Sequence, residues 1–124
     1  MTITFEQAKK LHELGVRKHS EKAWWYHEHI DHPIVDISGR MGYGKIEPIA
    51  HAYSAEELLA MMSHGDLEIV RSENATYYTF CLMKDVDGVE YWGQVNGATL
   101  TEALGNKVIH DLENNIITIE EINK

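Results

Sequence analysis

The sequence predicts a single α+β domain spanning residues 1–124, with an antiparallel sheet of three to five strands and helices packed on one of its faces. Three observations predict it. Ser/Thr-x-x-Glu/Gln capping boxes recur at Thr4, Ser54 and Thr99, each ahead of apolar residues at helical spacing. Aromatic and β-branched runs lie between them, two joined by a hairpin signal. A chain of 124 residues is long enough for one hydrophobic core and too short for two.

Thr4-Phe5-Glu6-Gln7 opens the first helix, and Phe5, Ala8, Leu11 and Leu14 then share one face until Gly15, giving a helix over about 4–15. From Lys22 to Ile30 the pattern is that of a strand, with Trp25, His27 and His29 on one side and Trp24, Tyr26 and Glu28 on the other. Pro33 should end that strand or place it at a sheet edge. Residues 38–48 are rich in glycine and stopped by Pro48, which reads as a loop.

Ser54-Ala55-Glu56-Glu57 starts a short helix carrying Leu58, Leu59, Met61 and Met62, closed by Gly65. Strands follow at Leu67 to Arg71, Thr76 to Lys84 and Val89 to Val95, the last two joined through Asp85-Val86-Asp87-Gly88. Behind Thr99-Leu100-Thr101-Glu102, a long helix aligns Leu100, Leu104, Val108, Leu112 and Ile116 in one i, i+4 row, with Glu102, Asn106 and Glu113 opposite. Thr118 starts a final short turn.

Hydrophobic residues at 44% and charged residues at 25% are ordinary for a soluble globular protein. No apolar run approaches the roughly 20 residues of a membrane span, and the first residues carry glutamates where a secretory signal would be apolar. The lone Cys81 excludes an internal disulfide, and a cytoplasmic location is expected, in the host cell if the chain is phage-encoded. The net charge is −9, concentrated in residues 63–124, where 11 acids face 4 Lys/Arg. So few cations cannot neutralise many phosphates, so direct nucleic-acid binding is not expected. The acids could instead steer a basic protein partner.

Two strings resemble enzyme signatures. Gly39 to Lys45 spells GxxxxGK, the phosphate-binding loop, but Ile46 stands where Ser or Thr should hold magnesium and Pro48 blocks the helix that should follow. His27-Glu28-His29-Ile30-Asp31-His32 spells the HxHxDH of metallo-β-lactamase-type hydrolases. Imidazoles and a carboxylate suit zinc, so His27, His29, Asp31 and His32 form the candidate metal set. The chain is too short for that hydrolase fold, and Pro33 follows the string at once. No serine has a GxSxG context and Cys81 has no visible base, so no catalytic residue and no cofactor is expected.

Three stretches together resemble a group of small phage and prophage α+β proteins: Lys10 to Val16 followed by Trp24 and Trp25, Ile49 to Leu58, and Gly97 to Gly105 continuing through Ile109 and Leu112 to Asn114-Asn115. The resemblance implies a phage or mobile-element origin and no established activity. Neither enzyme-like string belongs to it. The reading that follows is a non-enzymatic accessory protein that binds a host or phage protein, with blunting of a host defence such as a CRISPR nuclease complex as one such role. A metal-binding protein or metal-dependent hydrolase built on the histidine string is the alternative, and self-assembly into a homo-oligomer is the third reading. The expected binding surface joins Arg40, Met41, Tyr43 and Lys45 of the 38–47 loop, the exposed member of the Trp24/Trp25 pair, and Glu102 and Glu113.

Overall fold

The computed structural model describes residues 2–39, 44–62, 67–71, 77–84, 90–115 and 117–124, and between 67 and 94 it gives the backbone pairing of the strands. In chain order the elements are α1 (Phe5–Leu14), β1 (Lys22–His27), β2 (Ile30–Ile37), β3 (Lys45–His51), α2 (Ala55–Met61), β4 (Leu67–Arg71), β5 (Tyr77–Lys84), β6 (Glu90–Gly97), α3 (Leu100–Glu113) and α4 (Ile119–Ile122). The class is α+β. Among the described residues the strands form two antiparallel sheets of three, ordered β2-β1-β3 and β4-β5-β6.

The helices begin where their side chains can satisfy the free backbone N–H groups. Thr4 Oγ1 accepts from Gln7 N at 3.2 Å while Gln7 Oε1 accepts from Thr4 N at 3.2 Å. Ser54 with Glu57 and Thr99 with Glu102 repeat the exchange at α2 and α3. Such caps are worth about 1 kcal/mol each. Two of them also reach across the fold. Gln7 Nε2 donates to Glu102 O and to Asn106 Oδ1, both at 2.8 Å, fastening α1 to α3. Glu57 Oε1 accepts from the hydroxyl of buried Ser20 at 2.8 Å. Helix α1 stops at Gly15, whose φ of 105° is the left-handed cap that glycine adopts without strain. Gly65, expected to close α2, lies outside the described residues, as do the hairpin residues 85–88 and Ile116.

The β2-β1-β3 sheet departs from the sequence reading in two places. The strand expected to run from Lys22 to Ile30 ends at His27, turns through Glu28-His29 and returns as β2. Pro33 therefore lies within a strand, and that strand is at the edge. The region read as a loop up to Pro48 is in part the strand β3, also at an edge. An edge strand needs no ladder partner on its outer side, so proline is tolerated there. The register of β3 slips twice against β1, between Trp24/Trp25 and between Tyr26/His27. Such bulges accommodate the extra residues and twist the strand.

The core joins Ile3, Leu11, Val16, Tyr53, Leu58, Leu104, Val108, Leu112 and Ile122, from both ends of the chain and the middle. Helix α3 is its spine, in contact with α1, α2, β5 and β6. Being covered on several sides, it buries more than the expected row: Thr101, Ala103, Gly105, Lys107 and Asp111 are buried beside Leu104, Val108 and Leu112, while Leu100 is half-buried. Lys107 Nζ donates to Asp111 Oδ2 one turn on, so the two buried charges neutralise each other.

Candidate functional site

The enzyme-like strings meet in space, and the contact is a packing contact. His27 ends β1, Glu28 and His29 make the turn, and Asp31 and His32 follow Ile30 in β2. Glu28 N donates to Gly44 O at 2.7 Å. The Cε1–Nε2 edge of the His27 ring lies against Gly44, where an added Cβ would fall 2.1 Å from His27 Cε1. Gly44 has φ of 81°, a backbone conformation that favours glycine, and any added side chain would have to displace the ring.

The four candidate ligands do not converge. The His27 and His29 rings are 5.8 Å apart, and His27 Nδ1 accepts from His29 N at 3.1 Å. His29 Nε2 pairs with Glu28 Oε1 at 3.1 Å, and His32 Nδ1 lies 3.2 Å from Asp31 Oδ1. Among the described residues no three His, Cys, Asp or Glu side chains are grouped to hold a metal ion. The string straddles the β1–β2 turn, with His27 at the end of one strand and Asp31 and His32 on the next.

The expected binding residues are likewise distributed. Trp25 is 2% exposed, and Trp24 is half-buried with its ring edge-on to Phe5 at 5.6 Å. Trp24 is therefore the more exposed member of the pair. They face opposite sides of β1, as consecutive strand residues must. Lys45 is drawn inward to the same strand, with its side chain 5% exposed. Its Nζ sits 4.8 Å from the centre of the Trp25 ring, 3.4 Å from Asp36 Oδ2, and donates to Ile37 O at 3.1 Å. The Ile37 amide holds the Asp36 carboxyl below the usual carboxylate range; burial opposes it, and the Lys45 hydrogen bond and charge add to the lowering. Lys45 thus ties β2, β1 and β3 together. Arg40, Met41 and Tyr43 lie outside the described residues. Glu102 is half-buried in the α3 cap, and Glu113 is exposed at the other end of that helix, about 16 Å away at the usual helical rise.

Two features were not legible in the sequence. The first is apolar display: Tyr26 on β1, Ile30 and Ile37 on β2, and Ile46 on β3 are 46%, 36%, 54% and 55% exposed. The second is a groove of about 270 Å³ where the end of α1 meets β1, β3 and the residues after β2. His12, Arg17, His19 and His51 stand around it, with Ala23, Pro48, Ile49 and Ala50 as apolar walls and Ser38 and Gly39 at one side. The His19 and His51 rings meet at 5.6 Å in an edge-to-face arrangement, and Tyr53 lies 5.7 Å beyond His51. Burial, and then the neighbouring His19, push the His51 imidazole below its ordinary value. Burial pushes the Tyr53 phenol up, and its hydroxyl donates to Lys18 O at 2.5 Å. Histidines spread from position 12 to 51 leave no spacing signal that could have announced them.

Among the described residues no helix is long and apolar enough to cross a membrane. Compared with protein-family models, with the curated proteins and with the solved structures, the chain matches none.

Proposed function

We propose that this chain is a non-enzymatic binding protein that presents its β2-β1-β3 sheet to a protein partner. The carrying observation is where its apolar surface lies. Of the five large hydrophobic side chains exposed among the described residues, four belong to this sheet and one, Leu59, to α2. Single exposed apolar residues are ordinary, but four on one small sheet are a concentration that supports this reading, with Tyr26 and Ile37 on one face by the strand register and Ile30 on the other. Tyr26 adds an aromatic body with a polar tip, the side-chain type enriched at interfaces. The net charge of −9 favours a basic partner and would speed its approach.

A host or phage protein is the partner class we favour, and an accessory role such as inhibiting a host defence complex rests on the sequence resemblance. A copy of the chain itself is the competing occupant of the sheet. Affinity capture with the native chain and with an Ile37→Lys, Ile46→Lys variant tests the reading. The variant should keep its melting temperature and lose the captured partner. Equal capture by both chains would refute the surface, and a native dimer in light scattering that the variant abolishes would make the partner a second copy.

A further inference from the structure

We infer that the groove between the end of α1, β1 and β3 binds a small aromatic carboxylate, with the carboxylate on Arg17 and the ring against His19 and the apolar wall. The proposal goes beyond the protein-binding reading and does not depend on it. It starts from the guanidinium. Arg17 follows α1, and its Nη1 donates to the carbonyls of His12 at 2.6 Å and Val16 at 2.9 Å. Its backbone N donates to Asn123 Oδ1 at 2.7 Å. Both the side chain and its point of attachment are thus fixed before any ligand arrives. Among the described residues Nε and Nη2 have no partner, so the cation keeps donors free at the groove's rim. A guanidinium so held matches a carboxylate in shape and charge, and little side-chain freedom is lost on binding.

The surroundings select the rest of the ligand. Among the described residues no Asp or Glu lines this groove, so no lining carboxylate competes for Arg17. Ala23, Pro48, Ile49 and Ala50 give the groove an apolar wall. The His19 ring is exposed beside it, offering a flat face for a planar ring. A volume of about 270 Å³ lies just below the range of drug-sized sites, which suits a single-ring acid.

Benzoate, with benzyl alcohol as the neutral probe of similar shape, tests this by chemical-shift titration of the full chain. Benzoate at millimolar concentration should shift the ring signals of His19 and His51 and leave those of His110 on α3 unmoved. Arg17→Gln should weaken benzoate about tenfold, the loss expected for a charged hydrogen-bonded contact. His19→Ala, at an exposed position, should weaken it less. Benzyl alcohol should bind at least about tenfold more weakly than benzoate, which decides the role of the charge even if Arg17→Gln fails to fold. The proposal is overturned if benzoate moves no groove signal, if benzyl alcohol binds equally well, or if folded Arg17→Gln binds benzoate unchanged. A tripeptide with a free C-terminal phenylalanine binding about tenfold tighter than benzoate would also overturn it, by assigning the groove to chain ends.

Discussion

The two sheets of this molecule have the same number of strands and the same antiparallel pairing, yet they are built differently. In β4-β5-β6 the pairing of β5 with β6 runs from Tyr77↔Gly97 to Lys84↔Glu90 without a slip. In β2-β1-β3 the central strand slips once against β2 and twice against β3. Both prolines of the chain fall in this second group, Pro33 on one edge and Pro48 on the other. The regular sheet is in contact with the long helix α3. The irregular one carries the exposed Tyr26, Ile30, Ile37 and Ile46 and one wall of the groove. Regular pairing serves where a helix must lie on the strands, and bulges serve where side chains must be re-aimed.

The largest expected effect strikes the regular half. Leu104 is fully buried on α3, and Leu104→Ala should cost about 2–5 kcal/mol in denaturant unfolding. A loss below about 1 kcal/mol would mean that α3 is not the support of the fold. Gly97→Ala comes next. Its added Cβ would fall 2.4 Å from Ala103 N and 2.7 Å from Glu102 C, backbone atoms that cannot step aside, so about 1–3 kcal/mol is expected.

The matching change in the irregular half, Gly44→Ala, meets a side chain instead of a backbone. The His27 ring can swing away, leaving about 1–2 kcal/mol for the left-handed conformation. If Gly44→Ala proved costlier than Gly97→Ala by thermal melts, the contrast between a rigid and an adaptable sheet would collapse.

A smaller effect concerns pH. His51 has a folded value held below its ordinary value of 6.5, first by burial, then by His19, with His12 and Arg17 acting the same way and Glu57 opposing. The unfolded chain therefore takes up the proton first as pH falls. This contribution to stability is intact above about 6.5 and is lost as pH drops from there through the folded value. Unfolding midpoints measured across that window should decline less in His51→Gln than in the native chain. Smallest of all, EDTA should leave the melting temperature unchanged, since a structural metal would couple chelation to unfolding. A marked drop on chelation would restore His27 and His29 as ligands.

The helix starts were legible because a capping box is written within four residues, and all three boxes at Thr4, Ser54 and Thr99 are in place. The strand β3 was not, because Pro48 argues against a strand unless one knows that the strand lies at an edge. Nor was the turn at Glu28-His29, which lacks the glycine, asparagine or proline that usually marks one. On α3 the apolar row was visible but the buried Lys107–Asp111 pair was not, since the breadth of a helix's covered face depends on how many neighbours surround it. The site suffered most. Trp24, Trp25 and Lys45 look like contact residues by type, but Trp24 packs on Phe5 from one side of β1, while on the other Lys45 of β3 covers Trp25. The groove of His12, Arg17, His19 and His51 exists only once β3 has been brought beside the end of α1.

The two edge prolines decide how anything can attach to the irregular sheet. An incoming peptide that extends a sheet needs an unbroken row of outward N–H and C=O groups. Proline supplies no N–H, and the slips along β3 break the spacing further. Neither rim of this sheet offers a template, so the same feature discourages fibril growth and forces recognition onto side chains. Under the proposed protein-binding reading, a partner would therefore read the shape of Tyr26 and the isoleucines, and a specificity written that way could be retuned one residue at a time without altering the backbone.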